Sequence, residues 1–156
     1  MSIEKVRKYF AARGMEDQIL EFDVSSATVE LAAKALNCDG CLIAKTLSFL
    51  VHDDVILIVA PGDVKIDNHK YKMHFGVKAK MLPAAEAEQL IGHAVGGVCP
   101  FAVNEGVKVF LDESLKRFEF VYPACGSSNS AIALAPDELA AIFPKSEWVD
   151  VCKLPE

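Results

Sequence analysis

Two apolar runs, "IAKTLSFLV" at 43–51 and "VILIVA" at 55–60, flank the short polar stretch His52-Asp53-Asp54. Runs of this length around a turn of hairpin length predict two neighbouring strands, and they constrain the rest of the chain to pack around them. The first run carries a lysine, Lys45. Residues of like parity, Ile43, Leu47, Phe49 and Val51, are strongly apolar, whereas Ala44, Thr46 and Ser48 are small or polar. Strand periodicity therefore points Lys45 with the apolar set, toward the core or a pocket in it. The alternative is a lysine on the solvent face of an edge strand. A buried ammonium needs an anion or several acceptors, because unpaired burial costs several kcal/mol or shifts its pKa. The strand holds no acidic residue, so the partner is a carboxylate from elsewhere in the fold or an anion that arrives with a ligand.

Around this pair, short helices alternate with short strands. Ser2 is a candidate cap for a first helix whose Ile3, Val6 and Phe10 share a face and which stops at Gly14. "QILEFDV" reads as a strand, Thr28 as an N-cap, and Asn37 as the left-handed end of the helix "VELAAKALN". A helix is predicted over about 67 to 75, stopping at Gly76, then a strand "VKAKML" and a helix "PAAEAEQLIG" with proline at its first turn. "VKVFLD", "FEFVY" and "SAIALA" read as strands, residues 136 to 143 as a last helix, and "EWVDVC" as a final strand. The predicted class is α+β: one domain over 1–156, with a mixed, mostly antiparallel, curved sheet flanked by short helices.

Composition narrows the function. The chain has 156 residues, 52% hydrophobic, with a net charge of −6. That charge argues against an extended basic coat for nucleic acid but leaves room for a small patch gripping one end of it. No apolar run reaches bilayer length, and the N-terminus lacks a signal-peptide core. The five cysteines, at 38, 41, 99, 125 and 152, read as free thiols of a reducing compartment. The expectation is a soluble cytoplasmic protein, with neither a membrane nor DNA as partner.

Two loops can carry chemistry. "GGVCP" at 96–100 has Gly96 and Gly97 to free the backbone and Pro100 to fix the exit, so successive N–H groups can face an oxyanion; otherwise it is a tight turn. "ACGSSNS" at 124–130 follows Gly126 with hydroxyls and an amide, or is an ordinary polar loop.

"TVELAAKALN", "IAKTLSF", "GGVCPF", "VFLDESL" and "ACGSSNSAIALAPDEL", in this order over roughly 15 to 150, resemble the YbaK/prolyl-tRNA-synthetase-associated editing domain family of aminoacyl-tRNA deacylases. The resemblance implies hydrolysis of the ester between a wrong amino acid and the 3′ end of tRNA, acting in trans. A small amino acid on a proline-accepting tRNA is the best match to the family's associations. Lys45 would anchor the terminal nucleotide. The N–H groups of Gly97, Val98 and Cys99 would hold the carbonyl oxygen, and water or a substrate group would attack. Thr46, Asn129 and Ser130, with Gly96, Pro100 and Gly126 of the two loops, would contact substrate. Neither a cofactor nor a metal is called for, and the implied partners are the tRNA acceptor end and prolyl-tRNA synthetase. Such a second sieve is needed because a pocket separates two side chains differing by one methylene by only about 1–3 kcal/mol.

Other features have competing readings. Cys99 departs from the plain family loop; a catalytic thiol would need a base, for which His93 is the candidate, and a small spacer is the alternative. "CDGC" at 38–41 has redox or zinc spacing but no second ligand pair, so incidental thiols compete with a thiol-redox or metal protein built on Cys38 and Cys41. The one basic concentration, "KIDNHKYKMHFGVKAK", makes Lys70 and Lys72 candidates for tRNA phosphates, against a solvated helix face. His69 and His74 form no metal pair. Asp112 reads as the cap of "ESLK". A non-catalytic tRNA- or synthetase-binding module of the same fold is the remaining alternative.

Overall fold

The computed structural model describes residues 2–94 and 96–155. The side chain of Ser2 is not among them, so the expected serine cap lies outside the described residues. The central strand explains the unbroken apolar run. The hairpin forms from β2 (Ile43–Val51) and β3 (Asp54–Pro61), paired antiparallel from Ala44↔Pro61 to Val51↔Asp54, with β1 (Ile19–Glu21) before it. The connection is the two residues His52 and Asp53, with His52 at φ +55, and Asp54 already belongs to the strand. β3 is buried on both faces, which is why "VILIVA" does not alternate. Ile56, Ile58 and Ala60 pack with Phe49 and Tyr71, whereas Leu57 and Val59 face other clusters.

The remaining strands are β4 (Lys65–Ile66), β5 (Lys108–Asp112), β6 (Tyr122–Pro123), β7 (Ser130–Ile132), β8 (Glu147–Val149) and β9 (Cys152–Lys153). The main sheet has the order β6-β2-β3-β5-β8, and two-stranded pairs β1-β7 and β4-β9 flank it. The class is α+β with a mixed sheet, as predicted. The longest ladder is the antiparallel hairpin, but β2-β6, β3-β5 and β5-β8 run parallel.

The helices are α1 (Ser2–Ala11), α2 (Val29–Leu36), α3 (Asn68–Phe75), α4 (Ala84–Ile91) and α5 (Pro136–Ile142). Their ends follow the sequence signals. Thr28 accepts the Leu31 N–H, Asn37 turns left-handed at φ 54, Asp67 caps α3, and Gly76 and Gly92 stop α3 and α4. α1 buries Val6 and Phe10 completely. α3 docks through Tyr71, whose ring lies 5.1 Å from that of Phe49. Burying an apolar ring stabilises by about 1.5–3 kcal/mol, but the Tyr71 hydroxyl is buried without a hydrogen-bond partner among the described residues, which offsets much of that gain. Among the described residues no helix is long and apolar enough to cross a membrane.

Five strand boundaries differ from expectation, "SAIALA" among them, which contracts to β7. "VKAKML" touches β2 only through a bridge between Phe49 and Met81, because Pro83 follows and starts α4. In "FEFVY" only Tyr122 enters a named strand and Val121 bridges Leu134, since a 3-10 turn occupies Glu113–Arg117 just before. "EWVDVC" splits into β8 and β9, which join different sheets. "QILEFDV" contracts to β1. Asp112 makes the cap expected of it. Its carboxylate accepts the Ser114 N–H at 3.0 Å, and also the Val151 N–H at 3.0 Å, which ties the end of β5 to the β8–β9 connection.

Candidate active site

Lys45 sits near the start of β2, opposite Ala60 of β3 and on the face shared with Leu47 and Phe49. It is half-buried, and its ammonium donates to the carbonyl oxygens of Val64 and, at 3.4 Å, Gly62. The "PGD" turn thus supplies the acceptors that a buried amine requires. Burial pulls the Lys45 pKa down, while Asp63 opposes this. Cys152 adds no charge at neutral pH, because burial pushes its thiol up to about 12. Asp63 is itself gripped by both terminal guanidinium nitrogens of Arg117, at 2.7 and 3.2 Å, so the turn holding the ammonium is pinned from behind. Gly62 is obligatory there, since a side chain would run into the Gly40 carbonyl and Val29.

The two glycine-led loops meet. A Cβ on Gly97 would lie 2.8 Å from both the Gly126 carbonyl carbon and the Ser127 nitrogen. Backbone therefore packs on backbone, and glycine is required for space. Gly96 adopts φ +92 beside Ala27 and Ser128. Ser127, Asn129 and Ser130 are joined side chain to side chain, and Asn129 reaches across to the Phe22 carbonyl at 3.0 Å. Main-chain bonds from Phe22 to Asn129 and from Ser26 to Ser128 extend the β1-β7 pairing, bringing the 22–28 segment alongside.

These elements enclose a cleft of about 170 Å³. Lys45, Thr46, Gly96, Val98 and Ser130 line it together, far apart in sequence but joined in one site. Gly97, Cys99, Gly126 and Asn129 belong to the same loops without lining the cleft. Pro100 lines a separate groove of about 850 Å³ with Tyr9, Phe143 and Phe110, whose walls are mainly aromatic and aliphatic. Ser26, Thr28, Val29 and Tyr122 are cleft residues that the sequence reading missed. Thr28 had signalled only a helix cap, and nothing local marks that α2 starts at the cleft. Among the described residues that line the cleft none is acidic or a histidine, so they offer one cation, hydroxyls and backbone groups.

The thiols do not fit nucleophilic roles. Cys99 is fully buried, and desolvation pushes its pKa up to about 12. His93 lies 3.5 Å away, but its Nε2 is 2.7 Å from the Phe101 carbonyl and must carry the proton donated there. The nitrogen facing the thiol therefore cannot accept from it. Cys38 and Cys41 are partly exposed free thiols, and burial raises the pKa of Cys38. Lys70 is bound to Asp150 at 3.0 Å and to the Cys152 carbonyl, and it fastens α3 to the C-terminal strand. Lys72 lines a different surface pocket with Asn68, His69 and Lys78.

The chain has counterparts among known proteins. The model of the aminoacyl-tRNA editing domain matches residues 23–142, which include every residue lining the cleft. The chain belongs to the aminoacyl-tRNA editing domain family. This editing-domain chain is 51% identical over 154 residues, 98% of each chain, to the uncharacterized protein YwhH of Bacillus subtilis (strain 168). It is 26% identical over 125 residues to a proline–tRNA ligase of Lactobacillus helveticus (strain DPC 4571), covering 80% of this chain but 22% of the ligase. A crystal structure of a proposed trans-editing enzyme for prolyl tRNA synthetase superposes with a TM-score of 0.87 at 26% identity, over 97% of both chains.

Proposed function

We propose that this editing domain, spanning 1–156, is a trans-acting deacylase. It hydrolyses the ester of a mischarged tRNA, best matched by a small wrong amino acid on a proline-accepting tRNA. The observation that carries the reading is the shared cleft of Lys45, Gly96 and Val98, with no carboxylate or imidazole among the described residues lining it. Such a cleft suits ester hydrolysis driven by electrostatic positioning rather than by a nucleophilic side chain. The Lys45 ammonium binds the phosphate or ribose of the terminal nucleotide, exchanging carbonyl acceptors of the 62–64 turn for an anion. The Gly97 N–H is occupied by the Ala94 carbonyl at 3.0 Å. Val98, which lines the cleft, therefore leads the proposed oxyanion donors, with Cys99 beside it. Water attacks the ester carbonyl, the tetrahedral oxyanion forms against these donors, and on its collapse the bond to the ribose oxygen breaks, that oxygen taking a proton from the attacking water. The similar proline–tRNA ligase segment and the similar trans-editing structure support the choice of tRNA and a synthetase partner, and a cytoplasmic site of action goes with that substrate.

Deacylation of a panel of mischarged tRNAs, with Lys45→Ala alongside, tests this reading. The expected result is hydrolysis of at least one small-aminoacyl-tRNA and a loss of roughly a hundredfold or more in the variant. A folded Lys45→Ala protein with full activity sinks the mechanism. Inactivity of the wild type on the whole panel sinks the function.

A further inference from the structure

We infer that Ser130 is held as a hydrogen-bond acceptor toward the cleft by a relay through Ser127 and Asn129, and that it receives the α-ammonium group of the aminoacyl ester. This rests on the deacylase reading and names the substrate group that one cleft residue meets. The argument counts protons. The Phe22 carbonyl can only accept, so the Asn129 atom 3.0 Å from it is the amide nitrogen. The Asn129 amide oxygen is then the atom 2.9 Å from Ser127 Oγ, and it too can only accept. Ser127 has one hydroxyl hydrogen, which goes to Asn129. The 2.7 Å contact between Ser127 and Ser130 must therefore be donated by Ser130. Ser130 is 1% exposed and lines the cleft, so what remains to it there is lone pairs.

Of the other polar side chains lining the cleft, Ser26, Thr46 and Tyr122 carry hydroxyls free to turn either way, and the remaining two favour donation. Lys45 is a donor, and Thr28 spends its oxygen on the Leu31 N–H and keeps its hydrogen. An aminoacyl ester brings ester, ribose and phosphate oxygens, which accept, and one ammonium, which only donates. With no carboxylate among the lining residues, the ammonium is matched by Ser130. Ser127 and Asn129 are positioning residues that fix this polarity without touching substrate.

The probes are 3′-deoxy-3′-(alanylamino)adenosine, a non-hydrolysable amide, and its propionyl counterpart lacking the amine, titrated by calorimetry or NMR. Wild type is expected to prefer the alanyl compound by roughly tenfold or more, the range of a hydrogen bond to a charged group. Ser130→Ala, Ser127→Ala and Asn129→Ala are each expected to bring the two compounds to equal affinity while still binding the propionyl form. A wild type without preference, or a Ser127→Ala protein that keeps the full preference, overturns the inference. Equal weakening of both compounds in Ser127→Ala also overturns it, since that marks a merely structural role. A clear alanyl preference in a protein that deacylates no tRNA would support the inference while refuting the deacylase reading, so the two failures are distinguishable.

Discussion

Replacing Gly97 by alanine adds one carbon where two loops touch main chain to main chain. That carbon would stand 2.8 Å from the Gly126 carbonyl carbon, 2.8 Å from the Ser127 nitrogen and 2.9 Å from the Gly126 oxygen. Ordinary contact begins near 3.4 Å, so all three neighbours must retreat by about half an ångström. None is the end of a flexible side chain that could rotate away. Gly97 is outside the left-handed region, so the cost is purely steric. Overpacking costs about 1–3 kcal/mol, and a clash with fixed backbone belongs at the upper end, near 3 kcal/mol. For a domain of this size that is a fall in Tm of roughly 6–12 °C. Gly40→Ala is the control: it too lacks a positive φ, and its Cβ would meet only a Val29 methyl at 3.4 Å. It should stay within about 1 kcal/mol of wild type. The same separation of the loops displaces Val98 from the cleft. A misplacement of 1 Å costs on the order of a hundredfold in rate. Thermal denaturation and deacylation, measured on both variants, check this. A Gly97→Ala protein as stable and as active as Gly40→Ala would refute the claim that the two loops are clamped into one site.

Cys99→Ala should keep deacylation within about threefold, and a thiol-alkylating reagent at neutral pH should label Cys38 and Cys41 while sparing Cys99, whose thiol burial holds near 12; mass-mapped labelling checks it. His93 makes stability fall with acid. Burial lowers its folded pKa below the ordinary 6.5, so its contribution is complete above that pH and is lost as pH falls from 6.5 toward the folded value, with a slope of up to about 1.4 kcal/mol per pH unit. Denaturation between pH 5 and 8 should show this slope in wild type and lose it in His93→Gln. Lys72→Gln should weaken tRNA binding uniformly and reduce the salt slope by about one, whereas Lys70→Gln, which breaks the link to Asp150, should chiefly lower stability, with filter binding across salt and thermal melts separating the two.

Much of the candidate site was legible before any coordinates. Lys45 announced itself as a charge in an apolar strand, and the paired glycines as backbone with a steric purpose. Helix ends were equally readable, since Thr28, Asn37 and Gly76 act through local hydrogen bonds and φ angles. Strand extents were not. "FEFVY" has strand composition, yet most of it pairs with nothing named, because pairing depends on which edge is free. The role of Lys70 was likewise hidden, since its partner Asp150 is 80 residues away.

Local chemistry along the chain thus set the helix caps, the hairpin, the buried amine and the loops that had to be glycine. Assembly in three dimensions set the rest: that the amine rests on the Gly62 and Val64 carbonyls, that Gly97 abuts Gly126, and that Ser127 fixes the proton of Ser130. The division has one physical cause. Caps and turns are satisfied within a few residues, whereas a cleft exists only where distant segments leave room between them.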